Sequence, residues 1–380
     1  MNFTCVIIMN NSLPVENKPQ RLASLDVMRG LIMILLAAES SRVYIALRNF
    51  NFSGFGEKIV EQFNHHPWNG LYFWDLIQPA FMLMAGSAMY ISYYYKTKKG
   101  ISWSQNFKHI FIRCVKLFFL GIVIHCLHAG KPVWELWNIL TQLAVTTIIA
   151  YLIIQKSYLL QFVVSILLLV LTEVLYRTFS LPGYDQPFVM GQNFGTWMDM
   201  ILMGKINGDG WVAINIIPTA AHTIWGAMAG KLLIENRPEF SKIKWLLVAG
   251  IAGLVAGYGM DIANITPIIK RISTSSFVLA SGGWVLLILA LLYWITDILK
   301  YNKYAWICIV VGMNSIFIYM FFQTVGVMWF NGAVGVFTNG LMSFLGIPEN
   351  LMLLITALIV LLIEWYICYW LYKKKIFFKL

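Results

Sequence analysis

Two histidines stand side by side at His65 and His66, and an aspartate, Asp75, follows ten residues after the first. The segment between them is Pro67-Trp68-Asn69-Gly70-Leu71-Tyr72-Phe73-Trp74. Imidazole titrates near neutrality, so it can take and return a proton at physiological pH. A carboxylate bonded to one ring nitrogen fixes the tautomer and leaves the other nitrogen as a base. Asp75 opens a long apolar stretch, and a helix starting near Pro67 brings it about two turns below His65. It then orients an imidazole, directly or through a neighbour, or it bonds to another helix.

The elements that must position these groups are membrane helices. Hydrophobic residues make up 59% of the 380, charged residues only 12%, and the mean hydropathy is +0.71. A soluble domain carries about twice that share of charge. The apolar residues fall in runs of about 20, the length that crosses the hydrocarbon core. We expect an all-α integral membrane protein with about ten transmembrane helices, near 24–47, 71–95, 107–128, 136–154, 158–176, 211–234, 245–261, 274–299, 305–326 and 350–372. Residues 1–20 read as a short tail, 21–372 as one transmembrane domain and 373–380 as a basic tail. Phe3–Met9 is too short for a signal-peptide core.

With the N-terminus inside, the inward segments hold most of the 28 basic residues, among them Arg29, Lys96, Lys98, Lys99, Arg113, Lys242 and Lys373. The positive-inside rule then puts both termini in the cytoplasm. Anionic lipid headgroups account for the net charge of +11, and no nucleic acid is expected. A basic inner face also suits a polyanionic cofactor.

Polar residues within apolar helices are costly and face a cavity or a partner. Asp26 and Arg29 lie three apart on one helix face, as an ion pair or as a wall of a cofactor channel. Glu39 lies deeper, with no neighbouring base in sequence. His125 and His128 read as an interfacial, hydrogen-bonded pair rather than a metal site, and His222 as a satisfied interhelical bond. Asn207-Gly208-Asp209-Gly210 lacks the later glutamate of a calcium loop and reads as a helix-entry turn. Five scattered cysteines, without a Cys-x-x-Cys pair, indicate neither disulfides nor zinc. The stretches 177–210 and 327–349 read as the longest outward connections, packed over the membrane surface.

Arg21-Leu22-Ala23-Ser24-Leu25-Asp26-Val27-Met28-Arg29-Gly30 resembles the opening signature of the heparan-α-glucosaminide N-acetyltransferase family. The resemblance continues through His65–Asp75 and Pro79-Ala80-Phe81-Met82-Leu83-Met84-Ala85-Gly86-Ser87. Later blocks are Leu140-Thr141-Gln142-Leu143-Ala144, Met198–Gly204, Ala227–Lys231, Pro267-Ile268-Ile269-Lys270, Thr274–Phe277 and Gly312-Met313-Asn314-Ser315. They keep family order from residue 21 to about 325.

The resemblance implies an enzyme that takes an acetyl group from cytosolic acetyl-CoA and delivers it to the amino group of a terminal glucosamine across the membrane. The family's essential histidine stands three residues before the tryptophan of its His-x-x-Trp-Asn-Gly run, so the role falls on His65, with Asp75 beside it. His65 then serves as general base or as a transient acetyl carrier. By the same resemblance Glu39, Ser40, Trp68, Asn69, Asp199 and Lys270 are expected at the acceptor, and Asp26, Arg29, Gln142, Ser275 and Asn314 at the CoA donor. No metal is expected. A bacterial inner membrane, with His65 toward the periplasm, is the expected location, and a second copy of the chain is admitted as a partner.

The chain departs from the family pattern at three residues and in a longer loop, 48–64, before His65. Ser40 stands where the family has asparagine, Ile269 replaces the amide of Pro-Ile-Asn-Lys, and Leu143 replaces the arginine of the Leu-Gln-Arg segment. These changes bear on the acceptor, and O-acetylation of a cell-envelope polysaccharide is the alternative within the same chemistry. A transporter or sugar-binding protein without chemistry is the alternative outside it, but the chain lacks the paired, broken helices of two matching halves.

Overall fold

A computed structural model describes residues 22–378. The expected tail 1–20, Arg21, Cys5 and Lys379 lie outside the described residues. Within them the chain is all-α, and its single β-type contact is an isolated antiparallel bridge between Asn69 and Ile269.

The order is α1 (Ala23–Ser40), α2 (Val43–Arg48), α3 (Phe55–Glu61), a 3-10 turn at Phe73–Leu76, α4 (Ile77–Lys98), α5 (Trp103–Ala129), α6 (Ile139–Leu152), α7 (Tyr158–Thr178) and α8 (Phe194–Met203). There follow α9 (Ile216–Ile234), α10 (Glu239–Ile262), α11 (Ser275–Tyr293), α12 (Ala305–Met313), α13 (Ser315–Phe321), α14 (Asn331–Phe344) and α15 (Glu349–Lys373). A π-helical turn extends α11 to Ile298, and a second, Phe322–Phe330, joins α13 to α14. Among the described residues, six helical stretches are long and apolar enough to cross a membrane: α5, α7, α10, α11 with its π turn, α13 through α14, and α15.

The other expected spans fall on different helices for physical reasons. The segment 24–47 breaks at Ser41–Arg42, where Arg42 adopts φ 69° and starts α2. Helices α4 and α9 pack closely against each other and carry buried polar residues, Gln78, Ser87, Thr219, His222 and Thr223. Interior helices do not need a lipid-facing apolar surface. The segment 305–326 is split at Asn314, and the expected connection at 327–349 is instead largely helical.

Close backbone approach fixes the interior. A Cβ on Gly86 would run into the Thr223 carbonyl of α9, and one on Gly226 into the Leu83 carbonyl of α4. Ser87 Oγ donates to Gly226 O at 2.8 Å across the same seam. Gly30 of α1 lies directly on the Cys308 carbonyl of α12. The first amides of α1, which have no intrahelical acceptor, donate to Asp297: Ala23 N at 3.0 Å and Ser24 N at 2.9 Å. Met33 of α1 and Met82 and Met84 of α4 are buried in this interior.

Candidate active site

His65 lies in the loop between α3 and α4. Its Nδ1 stands 3.0 Å from Asp75 Oδ1, in the 3-10 turn that opens α4. The same carboxylate accepts the backbone N–H of Tyr72 at 2.9 Å and of His66 at 3.2 Å. Asp75 is therefore tied to its own loop, and the ten-residue spacing closes as a direct contact.

The third member arrives from 200 residues away. Lys270, in the loop before α11, places Nζ 3.3 Å from Asp75 Oδ1 and 3.0 Å from His65 Nδ1. The Asn69–Ile269 bridge and the bond from Gly70 N to Ile268 O, 2.8 Å, lock the two loops in register. The Trp211 ring lies edge-on to His65, with centroids 5.6 Å apart, and 5.5 Å below Lys270 Nζ. Burial in this wall, reinforced by the Lys270 charge, pushes the His65 pKa below the ordinary imidazole value. Burial likewise lowers that of Lys270, and Asp75 opposes it. A neutral His65 that donates Nδ1–H to Asp75 carries its lone pair on Nε2.

His65 and Lys270 border a cavity of about 170 Å³ whose walls include Glu39, Trp74, Trp137, Gln142 and Trp211. Glu39 Oε1 accepts the Trp74 indole N–H at 3.1 Å. Gln78 donates to Gln142 Oε1 at 2.5 Å, and Gln142 to Asn215 Oδ1 at 2.7 Å, an amide chain along one wall. Asp199 stands behind the wall, where it accepts the Trp137 indole at 2.7 Å and the Ala213 amide at 2.8 Å. Burial raises its pKa to about 6.

At the opposite ends of α1 and α4 lies a second cavity of about 510 Å³, bordered by Asp26, Arg29, Ser92, Tyr95, Lys96 and Lys99. Asp26 and Arg29 are 3.7 Å apart, so the predicted pair and the predicted cavity wall coexist. Glu39 is ten residues from Arg29 along α1, about 15 Å at helical rise.

The structure thus brings His65, Lys270, Glu39 and Gln142 to one cavity, with Asp75 bonded behind His65, and Asp26 and Arg29 to the other. Trp68 and Asn69 brace the His65 loop: the Trp68 indole donates to Phe188 O at 2.8 Å, and Asn69 carries the bridge. Ser40 is occupied by the Phe322 carbonyl at 3.0 Å. Ser275 bonds to Glu173 at 3.2 Å, and Asn314 to the Ile376 carbonyl at 3.0 Å. Neither borders either cavity. Trp137, Trp211 and Gln78 were not legible as wall residues, because nothing local marks which face of an apolar segment lines a cavity. His222 Nε2 bonds to Val278 O at 3.0 Å and Ser281 Oγ at 3.2 Å, the interhelical contact expected, while its buried Nδ1 has no partner among the described residues.

Residues 21–261 match the family described as Heparan-alpha-glucosaminide N-acetyltransferase, catalytic. The chain belongs to that family. The human protein Heparan-alpha-glucosaminide N-acetyltransferase is 26% identical to it over 369 residues, covering 80% of this chain and 52% of the human one. The chain spans about half the length of that relative. The match to the acetyltransferase family takes in His65, Asp75, both ends of α1 and α4, and Asp199. Lys270, Ser275 and Asn314 lie beyond its end.

Proposed function

We propose that the protein transfers an acetyl group from cytosolic acetyl-CoA to the amino group of a glucosamine-type sugar on the outer side of the membrane. One observation carries this reading: a histidine held by a carboxylate in a cavity at one end of α1 and α4, opposite a basic cavity at their other end. Family membership and the name of the human relative support the reaction class. The proposed topology has about ten spans, both termini cytosolic, the basic cavity inward and the His65 cavity outward.

The basic cavity would take the CoA phosphates, which Arg and Lys hold by charge-assisted hydrogen bonds. Indole rings from Trp74, Trp137 and Trp211 give the His65 cavity flat apolar walls suited to a sugar ring. His65 Nε2 then takes the proton that the attacking amine loses and passes it to the departing thiolate. Asp75 holds the imidazole in the tautomer that does this, and Lys270 keeps it from resting as imidazolium. Gln142, an amide of the cavity wall, would donate to the thioester oxyanion.

The test is purified protein with acetyl-CoA and a panel of glucosamine-terminated and hydroxyl sugars, followed by CoA thiol release. Release that depends on an amino sugar and is lost in His65→Ala supports the reading. No release with any acceptor, together with no CoA binding, would overturn it.

A further inference from the structure

The carboxylate in the wall of the His65 cavity, Glu39, and the one behind His65, Asp75, are not equivalent. Asp75 is saturated by His65, two backbone amides and Lys270. Glu39 accepts one hydrogen bond, from the Trp74 indole, and is otherwise exposed to the cavity. The titratable groups about it are Lys270 from the loop before α11, His65 from the α3–α4 loop, Tyr44 from α2 and Tyr319 from α13, with Arg271 acting on His65 and Lys270 behind them. Lys270 is bonded to Asp75 and His65, Arg271 acts on that same group, and Glu39 makes no ion pair among the described residues, so Glu39 lacks a cation of its own.

The proposed reaction has a matching deficit. An amino sugar arrives largely as an ammonium ion, which has no lone pair for attack. It must lose one proton before the C–N bond forms and a second as the C–S bond breaks. His65 handles the second and delivers it to the thiolate. The first needs another base.

We propose that Glu39 selects a cationic amine acceptor and is the first proton acceptor of the reaction, a role that rests on the acetyl transfer proposed above. Glu39 carboxylate pairs with R–NH3+ and takes one proton, giving R–NH2 and a neutral acid. The amine attacks the thioester carbon, and His65 carries its second proton to sulfur. Glu39 then returns its proton to the outer water. The sum is R–NH3+ plus acetyl-CoA giving R–NH–acetyl, CoA–SH and one proton.

The experiment uses the full chain in detergent, as wild type, Glu39→Gln and Glu39→Asp. Amine-dependent CoA release is followed from acid to alkaline pH, and calorimetry measures binding of glucosamine and of N-acetylglucosamine, which carries no charge. In Glu39→Gln, kcat/KM for glucosamine is expected to fall about 10²-fold where the amine is protonated and to recover as pH rises. The same variant loses about 10-fold in glucosamine affinity, as for one charge-assisted hydrogen bond, and keeps its affinity for N-acetylglucosamine. Glu39→Asp restores part of both, which separates the charge from a packing defect. Parallel pH profiles for wild type and Glu39→Gln, or equal affinity losses for the two sugars, overturn the proposal. If the wild type releases no CoA, the acetyl transfer reading fails, and the binding preference still decides whether Glu39 selects the cation.

Discussion

The backbone of Asn69 pairs with that of Ile269, and this one bridge joins the His65 loop to the Lys270 loop. The neighbouring bond from Gly70 N to Ile268 O, at 2.8 Å, makes the pairing two-point. A lysine is thereby set 3.0 Å from an imidazole nitrogen and 3.3 Å from the carboxylate that orients it. Position in a loop, not in a helix, lets both groups reach the cavity from its rim.

His65→Ala is expected to lower acetyl transfer by about 10²-fold or more, the usual worth of a positioned general base. The side chain is 38% exposed, so its loss leaves no large void, and the fold survives. Asp75→Asn, which keeps shape but cannot hold the same tautomer, should lower kcat with little change in CoA affinity. Steady-state rates beside a CoA-binding measurement check both; transfer at the wild-type rate in His65→Ala would refute the assignment.

His65 must be neutral to accept a proton, and its pKa lies below the ordinary value of about 6.5. The acid limb of kcat/KM should therefore fall at a pH lower than a free imidazole gives. Lys270→Met removes the neighbouring positive charge, so the His65 pKa rises and the limb moves to higher pH. A pH–rate profile of the two proteins tests the sign, and coincident limbs would contradict it.

Much of this was legible in the sequence, and the parts that were not share a cause. The helical class follows from composition and run length; the spacing admits the His65–Asp75 pair as one reading among others, and the contact closes through a loop and a 3-10 turn at Phe73–Leu76 rather than along a helix from Pro67. The role of Lys270 depends on a bridge between segments 200 residues apart, and no local pattern encodes that. Ser275 and Asn314, expected at the donor, satisfy a neighbouring carboxylate and a carbonyl instead. Polar residues in apolar helices must find partners, and family order alone does not say whether the partner is a ligand or the chain itself. Helices α4 and α9 look less like spans than the lipid-facing α10 because the interior seam selects small and polar side chains.

Replacing Arg29 and Lys96 by Gln should weaken CoA binding by about 10-fold each, with an effect that shrinks as salt rises. Titration calorimetry at two ionic strengths reads this directly. His65→Ala keeps CoA affinity in the same experiment, because it lies at the other end of α1. Unchanged affinity in both basic variants would place the donor elsewhere.

Gly86→Ala should destabilise the fold by about 1–3 kcal/mol, because a methyl there meets a backbone carbonyl of α9 that cannot swing aside. The readout is the melting temperature in detergent, with Gly332→Ala, at a glycine whose added methyl meets nothing, as the control. Equal melting temperatures would show that the α4–α9 seam yields.

Glu364 is fully buried in α15, and neither carboxylate oxygen has a hydrogen-bond partner. Glu364→Leu should raise stability by about 1–3 kcal/mol, since it removes an unsatisfied buried group. Thermal unfolding of the variant beside the wild type decides, and a lower melting temperature would mean that the carboxylate holds an interaction worth more than its burial costs.

The methionines between the two cavities have a mechanical consequence. Gly30 and Gly86 clamp α1 and α4 to their neighbours by backbone contact, so these helices cannot slide apart cheaply. Met33, Met82 and Met84 are buried on the same two helices, at the level between the cavities. Thioether side chains have three rotatable bonds and adapt to irregular space. In the transfer proposed above, a barrier built this way would give way by torsion around one threaded acyl arm and close behind it. Such a septum would let the protein hand a chemical group across a bilayer while remaining leak-tight to ions, with no rocking motion of the kind a transporter needs.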